Sequence, residues 1–282
     1  MTAGNCPSHG MAASNSARRI DGGVTVLRLL SIDNLSAAAY RLCTPEFEHS
    51  LRFETPARVH QLVAGGHWDA ALLPSVSLPA LAGRVMPLGA FGIACRGPVG
   101  SVKLFTSLPL ETLLRDRLPI YATPKSRTSV ALLGVLCARV YGVLPVLTSS
   151  YPGAAAHLLI GDAAYECAHS RRDGAQDIDL GAWWLEHTSL PFTFARWVVS
   201  PALDAGARAQ VLRWLTDCAA LAASDAGLAA LAAVEPDPEA AAARRHYHGR
   251  LQMYLDGACL SGLDRFLELM ECSHDAHATR IA

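Results

Sequence analysis

Hydroxyl-bearing residues stand in this sequence where apolar runs end. Ser75 follows Ala70-Ala71-Leu72-Leu73-Pro74, Ser101 follows Gly97-Pro98-Val99-Gly100, and Ser126-Arg127-Thr128-Ser129 opens a long apolar stretch. A helix N-terminus leaves backbone N–H groups unbonded, and hydroxyls beside it add donors, so residues 126–129 have the make-up of a carboxylate site. The same residues also suit an ordinary helix start with Thr128 as its cap. Asn34, just beyond the apolar run from Val24, is open to the same two readings. Asp33 beside it would repel an anion or serve as an acid or base if it faced a cleft, and would merely cap the next helix if it faced away.

Charged and metal chemistry is poorly represented. The chain has no Gly-x-Gly-x-x-Gly opening a helix, no Walker loop, no Gly-x-Ser-x-Gly elbow and no His-Glu-x-x-His. Neither Cys272-Ser273-His274 with His277 nor the pair His246 and His248 reproduces a zinc spacing, so no metal and no cofactor are expected. The 24 Lys and Arg against 25 Asp and Glu lack the basic excess that a phosphate backbone demands, which argues against a nucleic-acid partner. Eight cysteines without a Cys-x-x-Cys pair read as reduced thiols of a cytoplasmic protein.

The elements that must position these residues follow a βα rhythm. Val24 to Leu30 reads as a buried strand with Asp33 or Asn34 capping a helix through Leu42. Val59 to Ala64 reads as a helix ended by Gly65-Gly66, and Asp69 to Leu73 as a strand stopped by Pro74. Val102–Thr106 and Ile120–Ala122 are predicted strands flanking a helix from Pro109 to Leu114. Ser129 to Val140 is apolar almost all round, as in a helix packed inside a lobe. Ala156–Ile160 and Pro191–Val199 are predicted strands, and from Ala207 onward the Ala-rich sequence reads as helix alone. The apolar stretch from Ser129 to Leu147 approaches membrane-spanning length, but Arg139, Gly142 and Pro145 interrupt it, so no membrane partner is expected. The first twenty-one residues read as a disordered leader without a secretory apolar run. A length of 282 residues with 51% hydrophobic composition suits two α/β lobes.

Trp68-Asp69-Ala70-Ala71-Leu72-Leu73-Pro74-Ser75-Val76 resembles the Asp-x-Ala-x-x-Pro-Ser-Val segment of chorismate dehydratases of the futalosine route to menaquinone. Further blocks resemble that family in the same order: Gly97 to Val102, Ser126 to Val130, Leu159 to Ala164, Asp179-Leu180-Gly181 with Trp184, and Thr188 to Phe192. The resemblance implies a two-lobed fold of the type II periplasmic-binding-protein kind with a ligand cleft between the lobes. Residues 22–105 and 204–282 would form one lobe and 106–203 the other, with crossings along Gly97–Phe105 and Phe192–Val199. It also implies a hydro-lyase that removes the ring hydroxyl of chorismate as water and leaves 3-[(1-carboxyvinyl)oxy]benzoate. Such a protein would act as a monomer or homodimer on a small dicarboxylate.

By the same resemblance Asn34 and Ser101 match the family's functional asparagine and serine, and Ser75, Ser126, Arg127, Thr128, Ser129, Asp162 and Phe192 fall in blocks that would meet the substrate. Two positions depart from the family. Ile32-Asp33-Asn34 runs into Leu35-Ser36-Ala37 where a Leu-Pro pair is usual, and Ser189 stands where glycine is usual. These departures leave room for a divergent member acting on a related enolpyruvyl or cyclohexadienyl acid, with Asp33 as a divergent acid or base, or for a non-catalytic binder of a small carboxylate. The sister dihydroxynaphthoate synthases begin with a Ser-Pro-Cys-Pro-Asn-Asp-like segment that does not follow Val24 here.

Overall fold

Strands buried on both faces are apolar almost throughout: Ala70–Pro74 is wholly apolar and buried, and Leu27–Ile32 is apolar except at Arg28 and Ser31. A computed structural model describes residues 25–123, 126–170 and 176–281; the expected leader over 1–21 lies outside them. In chain order the first half runs β1 (Leu27–Ile32), α1 (Ala39–Leu42), β2 (His49–Glu54), α2 (Pro56–Ala64), β3 (Ala70–Pro74), β4 (Met86–Cys95), β5 (Val102–Thr106), α3 (Leu110–Arg115), β6 (Ile120–Ala122) and α4 (Arg127–Tyr141). The second half runs β7 (Leu147–Thr148), β8 (Ala156–Ile160), α5 (Gly161–Ser170), β9 (Gln176–Asp179), α6 (Leu180–Thr188), β10 (Phe192–Val199), α7 (Ala205–Ala223), α8 (Asp225–Ala232), α9 (Pro238–His248), β11 (Leu251–Tyr254) and α10 (Gly257–Ile281).

Two sheets result. The first has the order β11-β4-β10-β3-β1-β2 and the second β7-β6-β8-β5-β9. Around β1 the pairing is parallel, with β2 on one side and β3 on the other, whereas β10 runs antiparallel between β3 and β4. In the second sheet β6 is parallel to β7 and β8, while β5 lies antiparallel between β8 and β9. The chain passes from the first sheet to the second over residues 96–101 and returns over 189–191. Phe192–Val199, expected as the return crossing, is instead a central strand of the first sheet, and Val102–Phe105 already belongs to the second.

The strands that escaped the sequence pattern include β2, β4, β9 and β11. β2 is half-exposed and polar, β11 is four residues long, and β4 carries Pro87, Gly89 and Gly92 inside an otherwise regular run. Gly92 is required there: a Cβ on it would sit 2.3 Å from the carbonyl oxygen of Ala195 on the neighbouring strand. The family-like Asp69 also has a structural task. Its buried carboxylate accepts the backbone N–H of Arg28 at 2.7 Å and the guanidinium at 2.8 and 3.0 Å, tying β3 to β1.

One apolar core surrounds the first sheet, with Tyr40, Trp197 and Trp214 packed edge to face. A second core surrounds the other sheet, where Phe192 and Trp184 meet Phe266 of α10 at 5.0 and 6.2 Å, so the C-terminal helix also packs into the second lobe. Ser189 ends α6 in the left-handed region at φ 59°, which accounts for glycine being usual at that place in the family. Among the described residues no single helix is long and apolar enough to cross a membrane; α7 and α8 meet a length and composition test only jointly, bent by 80°.

Candidate functional site

In open α/β sheets ligands sit beyond the carboxyl ends of the parallel strands, because the loops there converge from both sides. Here the loops after β1 and β3 and the start of α2 face those after β8 and before α4. They enclose a cavity lined on one side by Ile32, Asn34, Ser36, Pro56, Pro74 and Phe194, and on the other by Val99, Ser101, Ser126, Thr128, Ser129 and Gly161. An adjoining outer hollow shares Asn34 and Gly161 and adds Asp33, Tyr121, Thr123 and Asp162.

Asn34 is a cap, one of its two expected roles, and it also lines the cavity. It caps a one-turn 3-10 helix (Leu35–Ala37), its Oδ1 accepting from the Ala37 N–H at 3.1 Å and the Ser36 hydroxyl at 2.8 Å. With the oxygen occupied twice, the amide nitrogen is the group left to act, and it can only donate. The side chain therefore offers N–H bonds to an oxygen of a bound molecule. Asp33, considered as the cap, does not cap; its carboxylate pairs with Arg41 at 2.6 Å and is 59% exposed.

Ser101 lies on the crossing between the sheets and is 3% exposed. The crossing turns through two left-handed glycines, Gly97 at φ 91° and Gly100 at φ 81°. A single carboxylate then fixes it: Asp179 accepts the N–H groups of Val99 and Gly100 at 3.0 and 2.6 Å while capping α6 through Gly181 and Ala182 at 3.0 and 3.1 Å. A Cβ at Gly181 would lie 2.5 Å from the Gly97 carbonyl oxygen, so the Asp179-Leu180-Gly181 block exists to let α6 meet this loop. Behind the serine stands a residue that the sequence reading missed. Tyr247, buried on α9, lines the cavity and shares a 2.9 Å hydrogen bond with Ser101 Oγ. Its position between His246 and His248 in an Ala-rich helix gives no local sign of this.

The N-terminus of α4 forms the floor. Ser126, not Thr128, is the cap: its Oγ accepts the Ser129 N–H at 3.2 Å and donates to the Ser129 hydroxyl at 2.9 Å. Thr128 is thereby released, and its hydroxyl is buried in the cavity wall with no partner. A buried hydroxyl normally finds a partner, so an unspent one beside free helix N–H groups is a place for a ligand oxygen. Arg127 is exposed and lines a separate groove with Val76 and Met270. Its charge still reaches His60 on α2 and, together with the larger effect of burial, holds that imidazole below its ordinary pKa.

The remaining expected contacts are placed differently. Ser75 is fully buried and donates to the Thr193 carbonyl oxygen at 2.7 Å, joining β3 to β10. Phe192 is interior, and the aromatic ring at the cavity is that of Phe194, two residues on. Asp162, in the first turn of α5, belongs to the outer hollow. Among the described residues no three His, Cys, Asp or Glu side chains gather as a metal site. The inner cavity thus brings Asn34, Ser101, Ser126, Thr128 and Ser129 together and offers neutral hydrogen-bond donors rather than charge.

Comparison with known proteins bears on the fold and the family. A chorismate dehydratase of Thermus thermophilus is 33% identical over 179 residues, an alignment covering 53% of this chain and 63% of the relative, so the chain matches less than two thirds of that protein's length. Structural neighbours share the two-lobed periplasmic-binding-protein fold. The alkanesulfonate-binding protein SsuA of Xanthomonas axonopodis pv. citri bound to MOPS superposes with a TM-score of 0.63 at 14% identity, covering 88% of this chain and 93% of that one. An Archaeoglobus fulgidus protein gives 0.62 at 14% identity over 88% and 98% of the two chains, and the Escherichia coli aliphatic sulphonate binding protein SsuA gives 0.57 at 15% over 91% and 88%. Residues 31–272 match the sequence pattern of the family described as menaquinone biosynthesis, and the chain belongs to that family.

Proposed function

We propose that this protein is a hydro-lyase that converts chorismate to 3-[(1-carboxyvinyl)oxy]benzoate and water. The observation that carries the proposal is the meeting of Asn34 and Ser101, from opposite walls, in one cavity whose floor is the N-terminus of α4. In the reaction the ring C–O bond to the hydroxyl and a neighbouring ring C–H bond break, a ring double bond forms, and hydroxyl and proton leave as water. Aromatisation drives it, so the protein's work is to orient the dianion and to assist departure of the hydroxyl.

On this reading Ser101 donates its O–H to the departing oxygen, and Asn34 donates through its amide nitrogen to the hydroxyl or ether region. The free N–H groups of α4 with Thr128 take a carboxylate. Phe194 and Ile32 supply apolar wall against the ring. Uncharged donors suit a dianion that must bind and still release its product, since each hydrogen bond to a carboxylate contributes about 1.5–3 kcal/mol without the cost of burying a counter-charge.

The test is to incubate the purified protein with chorismate and follow by mass spectrometry a product lighter by one water. Its formation supports the lyase. Absence of product while chorismate still raises the unfolding temperature would favour a binder or an enzyme for a related cyclohexadienyl acid, a reading to which Asp33 at the outer hollow lends support. Absence of both would overturn the assignment.

A further inference from the structure

Resting on the reading above, we propose that Tyr247 is a positioning residue for the elimination: its phenol donates to Ser101 Oγ and thereby turns the serine's own proton into the cavity. A serine hydroxyl rotates freely about its last bond, and a proton aimed at a neighbouring carbonyl is of no use to a departing hydroxyl. The bond between the two residues removes that freedom. Ser101 Oγ and Tyr247 Oη are 2.9 Å apart, and both residues are almost wholly buried. Neither oxygen has any other hydrogen-bond partner among the described residues. Each hydroxyl carries one proton, so when the phenol donates, the serine proton has only the cavity to point to.

The direction of the bond follows from acidity. A phenol is a better donor than an aliphatic alcohol, and the alcohol oxygen is the better acceptor, so the tyrosine gives and the serine receives. Burial further keeps the phenol neutral: it pushes the Tyr247 pKa well above its ordinary value, and the charge of Asp162 adds to that. Outright loss of the phenol proton is therefore disfavoured, and the residue acts through alignment rather than as the final acid.

The surroundings are built to hold the ring. Tyr165 of α5 meets it edge-on at 6.0 Å and His248 at 5.0 Å, while Gly100 presents its backbone to the ring where a side chain would stand 3.7 Å from it. The serine's backbone is immobilised independently by Asp179 through Val99 and Gly100. Rotation of the hydroxyl is then the one freedom the crossing leaves open, and Tyr247 closes it. A hydroxyl that merely satisfied a core phenol would not need to line the cavity, yet both residues do.

The experiment is a double-mutant cycle with chorismate as substrate, using wild type, Tyr247→Phe, Ser101→Ala and the double variant. Wild-type turnover is required first; its absence overturns the lyase reading and this proposal with it. Given turnover, Tyr247→Phe is expected to lower kcat about 10- to 100-fold, less than the roughly 10²–10⁴-fold of a proton donor lost outright because Ser101 itself remains, with KM within about 3-fold of wild type. In the Ser101→Ala background the same change should cost less than about 2-fold, because the hydroxyl it aligns is gone. Full kcat in Tyr247→Phe, or equal losses in both backgrounds, overturns the positioning role while leaving the lyase intact. Thermal unfolding of each variant separates loss of fold from loss of alignment, and Tyr247→Trp, which keeps a bulky buried ring with a displaced donor, should be as slow as Tyr247→Phe.

Discussion

On the Ser101 side of the cleft the backbone hangs from one carboxylate, the serine is 3% exposed, and its hydroxyl is paired behind by a buried phenol. On the Asn34 side a three-residue 3-10 turn and a four-residue helix follow the Asn34 amide, and Asp33 beside it is 59% exposed and held by one arginine. The first wall is preorganised, the state in which a hydrogen-bond donor contributes most to a reaction. The second is lightly built, and it is where the sequence leaves its family's pattern, at Asp33 and at Ser36. On the proposed function the contrast separates two tasks: the crossing between lobes would hold the group that assists the chemistry, while the turn after β1 would be free to vary with the shape and charge of what is bound.

The largest test of this division is Ser101→Ala. Removing the preorganised donor that the proposal assigns to the departing oxygen should lower kcat about 100- to 1,000-fold, as loss of a preorganised donor does. The unfolding temperature should shift by less than about 3 °C, read by scanning fluorimetry. A loss below about 5-fold would mean that the rigid wall is scaffold and the chemistry lies elsewhere. Asp179→Ala should come next in size and act on a different quantity. It strands the N–H groups of Val99 and Gly100 and uncaps α6, so unfolding free energy should fall by about 2–4 kcal/mol. Activity should fall with it at temperatures where the variant is still folded, because the Ser101 loop loses its anchor. A denaturation midpoint equal to wild type would show that the loop holds itself.

How far this contrast could be read beforehand depends on distance along the chain. β5, β6 and β8 were legible because apolar runs ended at turn residues, and the helix from Arg127 because its apolar stretch was long. β4 was hidden by its own glycines, which are there to admit a neighbouring carbonyl. The site divided the same way. Asn34, Ser101 and the 126–129 segment were marked by where strands and helices end, whereas the partners that make the Ser101 loop rigid are remote, Asp179 80 residues from the Val99 it holds and Tyr247 146 from Ser101. No periodicity or spacing encodes a pairing of that range. Ser75 and Phe192 were misplaced for a related reason: a strand end marks where a cleft can be, but burial at that end is decided by β10 and α10, which arrive much later in the chain.

A pH experiment probes the rigid wall from behind. His248 packs against Tyr247, its Nε2 is buried without a partner, and burial together with the nearby Arg244 holds its pKa down to about 4. Arg244 itself is paired with Glu235. The unfolded chain, with an ordinary histidine near 6.5, takes up a proton that the folded protein refuses between those two values. Folded stability attributable to this residue is therefore complete above about pH 6.5, declines as the pH falls toward 4 and is flat below, by up to about 3 kcal/mol in all. Urea midpoints at pH 7.0, 5.5 and 4.5 should fall less steeply in His248→Phe than in wild type. Parallel curves would show that the imidazole is hydrated and that the back of the wall is less closed than its geometry indicates.

The smallest effect is expected on the opposite wall. The Asp33–Arg41 pair is exposed on both sides, and such pairs contribute about 0–1 kcal/mol, so Asp33→Asn should leave the unfolding temperature within about 2 °C of wild type. Its effect on a dianionic substrate should be electrostatic and screened. KM should fall modestly, by less than about 5-fold, and the gain should shrink as ionic strength rises past the level at which the Debye length is about 8 Å. kcat should stay within about 3-fold, because the departing hydroxyl is assisted from the other side. A kcat loss as large as that of Ser101→Ala, without a change in salt dependence, would place a reacting proton on Asp33. The lightly built wall would then share the chemistry, and the departure from the family at this position would mark a change of mechanism rather than of fit.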